Sequence, residues 1–374
     1  MKRRDFLSSA LVGGAALAAC GGSSTPASDG SGPAVSTGKR IRWRLASSFP
    51  RSLDTLYGTC EVMAERVKAM TDGQFDIRCY PAGELVPGLQ VLDAAQQGTV
   101  QIGQSASYYY IGKNPALAFD TCVPFGLTAR QQNAWLMEAG GQALIQDLLN
   151  DFGVMGIPGG NTGVQMGGWF NKKINTLEDL KGLTIRMPGL GGEVLRRMGA
   201  TAVTLPGGEI YPSLKSGAID ATEWVGPWND MAFGFHKVAK YYYYPGFQEP
   251  GPAICCGFNL KVWNSLTSDQ KAIVKAAAAA ENSYTLAEYN AKNAITLEVM
   301  KTKHKIKLRK FSDEIMQGIG NASGQVIADA AKSDAMTAKV AKSYLDFRKK
   351  MIAWSKTADH AYANARLLPF KYGG

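Results

Sequence analysis

Ile41, Trp43 and Leu45 alternate with Arg42 and Arg44 in RIRWRLASSF, a two-residue period that predicts a strand. The period then lengthens. Leu56, Cys60, Met63, Val67 and Met70 recur at helical spacing, and TDG stops that helix at Gly73. QFDIRCY alternates Phe75, Ile77 and Cys79 as a second strand. PGLQVLDAAQQG predicts a helix with Pro87 near its start and Gly98 at its end, and TVQIG a short third strand. Strand, helix, strand, helix, strand predicts an α/β fold with a largely parallel sheet.

A second unit of the same kind follows. GVMGIPGG and GVQMGGWF read as strands separated by NT. NTLEDLKG is a short helix with Thr176 and Asp179 at capping-box spacing and Gly182 as its stop. LTIRMPG is a strand with Leu183, Ile185 and Met187 on one face and Thr184 and Arg186 on the other. GGEVLRRMGA is a helix, and TAVTLPGGEIYPSLKSGAIDATEWVG repeats the strand, helix, strand order. From Ser268 to Thr302 there is neither Gly nor Pro, and Thr267 and Gln270 form a capping box. A helix of that length reaches about 50 Å. It is either a coiled-coil arm or a spine across two lobes, and the spine fits a hinged protein.

Composition adds compartment and size. MKRRDFLSSALVGGAALAAC pairs a basic start, with Arg3-Arg4 in a twin-arginine pattern, with an apolar run too short to span a bilayer. Leu17-Ala18-Ala19-Cys20 resembles a lipobox, making Cys20 a candidate for lipidation; an ordinary cleavage site with an incidental Cys is the plainer reading. The Gly/Ser/Pro-rich stretch after it reads as a flexible tether. Roughly 330 residues beyond the tether call for two lobes. The organisation expected is a signal peptide over 1–19, a tether over 20–40, one lobe from 41–160 and about 250–267, and a second over 161–249. The spanning helix is 268–302, and a helical region over 303–374 packs on both lobes or on a partner subunit. The formal charge is +10, of which the residues before Cys20 carry +2. For an exported chain this suits an anionic ligand or membrane surface and excludes nucleic acid. Beyond Cys20, five scattered cysteines without CxxC or zinc spacing read mostly as buried thiols.

No reactive constellation is evident. His236, His304 and His360 are far apart in sequence, no GxSxG or GxxxxGK[ST] motif occurs, and GLGG is half a dinucleotide signature. The chain is therefore expected not to be an enzyme. Arg186 could offer a planar fork to a carboxylate, or be a surface arginine. Gln165, among glycines, could touch a ligand or be a half-buried amide.

Several stretches in one order carry a resemblance: WRLASSFPRSLDT, AGELVPGLQ, YYYIGKNPA, PGGNTGVQMGGWF, IDATEWVGPWND and YYYYPGF. From about residue 41 onward, and most strongly over 41–250, the chain resembles the solute-binding proteins of tripartite ATP-independent periplasmic (TRAP) transporters, especially α-keto-acid binders. The resemblance implies an α/β, two-lobe periplasmic binding protein with a long helix spanning both lobes, hinged around a central cleft. It implies capture of a small 2-oxo or 2-hydroxy monocarboxylate and delivery to the small and large integral membrane subunits, with a homodimer as an open alternative to a monomer. Arg186 then pairs with the substrate carboxylate. A cation, sodium with calcium as the alternative, is held by Gln165, Glu223, the carbonyl of Trp224 and Glu249, all oxygen donors suited to a hard ion. Substrate contacts are Gln165, Arg186, Glu249, Asn161, Phe49, Tyr109 and Trp224. The other reading of Glu223 is a buried carboxylate paired with a nearby Arg. Phe247-Gln248, AICCGFN and MPGLGGEV depart from the α-keto-acid pattern and leave the ligand more open than the class. Lactate with calcium, a larger keto acid, or an enzyme acting on such acids are the alternatives.

Overall fold

The computed structural model describes residues 40–373. The twin-arginine segment, Cys20 and nearly all of the expected tether lie outside them. Two sheets organise the described chain. The first has the order β2 (Phe75–Tyr80), β1 (Ile41–Ser47), β3 (Ile102–Ser105), β10 (Ala253–Asn259), β4 (Val154–Asn161). The second has the order β11 (Lys307–Lys310), β9 (Tyr241–Tyr244), β5 (Gly168–Phe170), β8 (Ala221–Thr222), β6 (Thr184–Arg186), β7 (Thr201–Val203).

The sheets are mixed, which corrects the largely parallel expectation. β1 runs parallel to β2 and β3, and β6 parallel to β7 and β8, as βαβ units require. But β10 is antiparallel to both β3 and β4, and β5 antiparallel to both β8 and β9. The cause is the path of the chain. It leaves the first sheet after β4, builds five strands of the second, and returns as β10 through residues 245–252. A strand that returns from another sheet need not obey the crossover geometry of a local βαβ unit.

Three smaller corrections concern limits. In GVQMGGWF only Gly168–Phe170 is strand; residues 163–167 are a loop that carries Gln165 from one sheet to the other. The third strand begins at Ile102, later than TVQIG suggested, and PGLQVLDAAQQG opens as a 3-10 turn before its helix, Val91–Gln96. The region after 303 is helical only after β11, which is paired with β9 at the edge of the second sheet.

The long helix runs from Ser268 to Thr302. Thr267 Oγ1 accepts from the Gln270 amide at 3.2 Å and Gln270 Oε1 from the Thr267 amide at 3.0 Å, which closes its capping box. It packs on β4 of the first sheet, on the first helix (Tyr57–Met70), which follows β1, and on the short helix Pro227–Phe233, which follows β8 of the second sheet. No described helix is long and apolar enough to cross a membrane.

Candidate ligand and cation site

The site forms where the chain crosses between sheets. Gln165 lies on the outgoing segment and Glu249 on the returning one, and the two segments are laced together. The Gln165 amide donates to the Glu249 carbonyl at 3.1 Å, and the Gly246 amide to the Gln165 carbonyl at 3.2 Å. A Cβ at Gly246 would sit 2.5 Å from that carbonyl oxygen, so the close approach requires glycine.

Arg186 ends β6 and Glu223 follows β8, the adjacent parallel strand. Both side chains are almost wholly buried, at 1 % and 0 % exposure. They form an ion pair through Nη1 and Oε1. The same Nη1 donates to the Glu223 carbonyl at 3.1 Å, Nε to the Leu205 carbonyl at 3.3 Å, and Nη2 lies 3.4 Å from the Tyr109 hydroxyl. The guanidinium is 4.9 Å from the Trp224 ring. Glu223 is thus a buried carboxylate paired with an Arg, and Arg186 is no surface residue.

Phe49, Tyr108, Tyr109, Thr162, Gln165, Trp224 and Glu249 line a narrow cleft with about 260 Å³ of empty space, counting its open mouth. Phe49 meets Trp224 edge to face at 6.4 Å. Arg186 and Glu223 sit behind this wall. Gly189, with φ +63°, lies flat against the Tyr108 ring at 3.2 Å from its ideal Cβ position.

Electrostatics set the character of the site. Burial raises Glu223 to about 7, with Asp230 adding to the effect and Arg186 and Gln248 opposing it. Burial also holds Glu249 well above the usual carboxylate range, Glu223 adds to this, and Arg186 opposes it. Two buried carboxylates face one guanidinium, so a second positive charge is missing if both ionise. Glu223 Oε2, Gln165 Oε1 and Gln248 Oε1 are buried without a hydrogen-bond partner. Carboxylate and amide oxygens left over in this way fit a hard cation.

Of the sequence candidates, Gln165, Arg186, Glu223, Trp224, Glu249, Phe49 and Tyr109 come together. Asn161 does not join them: its Nδ2 donates to the Gly251 carbonyl at 3.1 Å and its Oδ1 accepts from the Gly163 amide at 2.8 Å. Both ends of the amide pin the crossing segments, and neighbouring Thr162 takes the place on the cleft wall. Three further residues surround the site: Tyr108, in the YYYIGKNPA stretch, and Gln248, in the departing Phe247-Gln248 pair, were marked in the sequence, and Asp230 was not. Gln248 is buried, its Nε2 donating to the Met166 carbonyl at 2.9 Å. Tyr108 faces the cleft. Asp230 accepts from Trp169 Nε1 at 2.9 Å and the Tyr242 hydroxyl at 2.7 Å, behind Val225. The signal for Asp230 was an acid within the ring-rich GPWNDMAF.

Residues 46–334 match the model of bacterial extracellular solute-binding protein, family 7 (DctP). The chain is 46% identical to a monocarboxylate 2-oxoacid-binding periplasmic protein of Nostoc sp., over 97% of this chain and 98% of that one. A TRAP transporter solute-binding protein of Bordetella bronchiseptica, a mixed-occupancy dimer with calcium and picolinate in one site, superposes with TM-score 0.86. It has 39% identity, and the match covers 88% of this chain and 98% of that one. A TRAP periplasmic solute-binding protein of Pseudoalteromonas atlantica, with bound sodium and pyruvate, superposes with TM-score 0.85 at 39% identity, covering 89% of this chain and 100% of that one.

Proposed function

The chain belongs to bacterial extracellular solute-binding protein family 7, the DctP family, and from that membership we propose that it captures a small 2-oxo monocarboxylate with a cation and hands it to the membrane subunits of a TRAP transporter. The carrying observation is the pair of orphaned oxygens, Gln165 Oε1 and Glu223 Oε2, beside two carboxylates that share one guanidinium. Glu223, Glu249, Gln165 and the Trp224 carbonyl would hold the cation. Bound there, it would supply the positive charge that the two carboxylates lack and take the carboxylate and 2-oxo oxygens of the acid. Arg186 Nη2, whose contact to Tyr109 is long, is the donor for the ligand carboxylate. Phe49, Tyr109 and Trp224 exclude water around it. Membership of a family of extracellular solute-binding proteins supports binding without turnover. Sodium is the proposed ion, with calcium as the competitor.

Export by the twin-arginine route and anchoring through Cys20 belong to the same proposal, supported by Arg3-Arg4 and Leu17-Ala18-Ala19-Cys20. So does a homodimer, supported by the exposed C-terminal helix and by the dimeric Bordetella bronchiseptica neighbour.

The deciding experiment compares pyruvate with propionate by isothermal titration, with and without added sodium or calcium. Glu223→Gln is expected to weaken pyruvate far more than propionate and to remove the dependence on added cation. An equal loss for both acids, or none, would refute a cation bridge. Stoichiometric binding with unchanged pyruvate afterwards is expected; turnover by the pure protein would favour an enzyme.

A further inference from the structure

KTKHKIKLRK, residues 301–310, sets six basic side chains and His304 at the junction of the long helix and β11. The topology gathers more lysines around it. β9 is parallel to β11 and antiparallel to β5, so the starts of β9 and β11 and the end of β5 share one end of the second sheet. Lys172 and Lys173 lie there just after β5, Lys240 just before β9, and Lys303, Lys305 and Lys307 at the approach to β11. All six are exposed. None of the six is in an ion pair among the described residues, whereas Lys181 and Lys301 nearby are paired with Glu178 and Glu298. The neighbouring acids serve the backbone. Asp220 Oδ2 accepts from the Thr184 amide at 2.9 Å, and Asp179 Oδ2 from the Asn175 and Thr176 amides at 2.8 and 3.0 Å. Residues 1–39 hold four basic and two acidic side chains, so +8 of the formal +10 belongs to the rest of the chain. Six unpaired lysines at one sheet end hold most of a surplus of that size. The field reaches His236, whose ring is 4.4 Å from that of His304. Burial first, then His304 and Lys237, hold it below its ordinary value.

We propose that this end of the second sheet is a contact face for the anionic phospholipid headgroups of a membrane surface. Charge complementarity sets the class of partner. The type of cation narrows it. Arg309, which could offer a fork, is turned to the protein, with Nε 3.1 Å from the Tyr243 hydroxyl and Nη2 3.3 Å from Asn175 Oδ1. What faces solvent is lysine, a point charge on a flexible stem, which meets diffuse negative charge without demanding one partner geometry. Three neighbouring strand ends spread these charges about 10 Å across, wider than a single phosphate group. Arg186 and Glu223 stand at the opposite end of the sheet, where β6 and β8 finish, so the face leaves the cleft open. It stands whichever acid the cleft takes.

The test is sedimentation of the full chain with vesicles of pure phosphatidylglycerol or pure phosphatidylcholine. Residues 1–39 carry charge of their own, so two triple variants with the same change of charge are compared. One is Lys240→Glu, Lys303→Glu and Lys305→Glu on the face; the other is Arg42→Glu, Lys261→Glu and Lys275→Glu, at exposed positions away from it. The parent chain is expected to bind phosphatidylglycerol at low salt, to be released by sodium chloride, and to leave phosphatidylcholine largely unbound. Partitioning should fall at least fivefold in the face variant and less than twofold in the other, with circular dichroism verifying both folds. Lys172→Glu with Lys173→Glu, on a different strand end, should also weaken it. Binding is expected to be the same with and without pyruvate, so failure of the ligand reading and failure of this one are read separately. Equal losses in the two triple variants, equal binding to both lipids, or no binding to phosphatidylglycerol would overturn the proposal. So would face-dependent binding of polyglutamate without binding of vesicles, which would make the partner an acidic protein.

Discussion

Arg186 directs its donors at protein oxygens: Glu223 twice, Leu205 and, at long range, Tyr109. On the proposed reading, removing it takes away the ligand's charged partner; it also leaves Glu223 buried without its counter-ion. Arg186→Ala is therefore expected to weaken pyruvate by at least 30-fold, on the order of 2–5 kcal/mol as for truncated buried charge pairs. Arg186→Lys should recover little, because a point charge cannot serve Glu223, Leu205 and a ligand at once. Titration calorimetry, with circular dichroism to verify folding, measures both; wild-type affinity in either variant would remove Arg186 from the site. Asp230 supplies the pH argument. Burial lifts it from the ordinary 3.8 to about 6, against the pull of Tyr242 and Trp169. Between those values the folded chain holds more proton than the unfolded chain, so stability falls as pH rises from about 4 to 6. The loss is on the order of 1–3 kcal/mol. Asp230→Asn should flatten that part of the urea-unfolding profile of the unliganded protein, and an unchanged slope would mean that Asp230 titrates normally. At this scale the sequence marked the acids, the amide and the arginine but not their burial. LTIRMPG shows that Arg186 faces away from Ile185, yet not that a second wall covers that face. Asn161 shows that an amide beside glycines can serve backbone groups at both ends, a use that spacing does not separate from ligand contact.

Between elements, a latch joins the loop before the first helix, the helix Pro227–Phe233 and the long helix. Asp54 accepts from Trp228 Nε1 and from Lys292 Nζ, each at 2.7 Å, and Lys292 Nζ lies 4.4 Å from the Trp228 ring. Asn229 adds a bond to Thr55 at 2.8 Å and accepts from the Tyr289 hydroxyl at 2.6 Å. None of these residues lines the cleft. The latch bridges elements of both lobes, so it favours the arrangement in which they meet. Half of the Asp54 side chain is exposed, which limits the pair with Lys292 to about 0.2–1 kcal/mol. Losing the indole bond as well brings Asp54→Ala to an expected three- to tenfold weaker ligand affinity, seen mainly as faster release. Stopped-flow dissociation measures it, and unchanged release would show that the latch does not bias closure. The long helix was legible to its last residue, because a capping box opens it and neither Gly nor Pro interrupts it. The mixed sheets were not legible. Strand direction depends on where a distant return segment lands, and no local period encodes that. GVQMGGWF misread for a related reason: apolar and small residues suit a crossing loop that must pass close to another backbone as well as they suit a strand.

At the scale of the whole molecule, the tail and the hinge make separate claims. The last helix, Asp359–Ala365, has no buried residue, and Trp354, Leu367 and Tyr372 are 61 %, 81 % and 91 % exposed. Exposed apolar side chains at that density suit the contact surface of the proposed homodimer. The full chain should sediment as a dimer and a chain ending at Thr357 as a monomer; equal mass per particle in both would exclude the tail from assembly. Closure rests on other residues. Gln165 and Glu249 are bound to the two segments that cross between the sheets, and those segments hydrogen-bond to each other. On the proposed reading, a ligand that engages both side chains acts directly on the segments that join the two sheets. Arg186 and Glu223 belong to strands of the second sheet or follow them, while Phe49 and Tyr109 follow strands of the first, so an acid held by all four would bridge the two sheets. A ligand shifts a conformational equilibrium only by its differential affinity for the two states, and a site divided in this way is complete only when the lobes meet. The long helix packs on β4 and on the helices Tyr57–Met70 and Pro227–Phe233, and should keep its length throughout. Saturating pyruvate with sodium or calcium is thus expected to lower the radius of gyration measured by small-angle scattering on the chain ending at Thr357. Asp54→Ala should start from a larger value, its latch being gone, and reach the same liganded value. If neither chain compacts, closure does not accompany binding, and the crossing segments only hold the site residues in place.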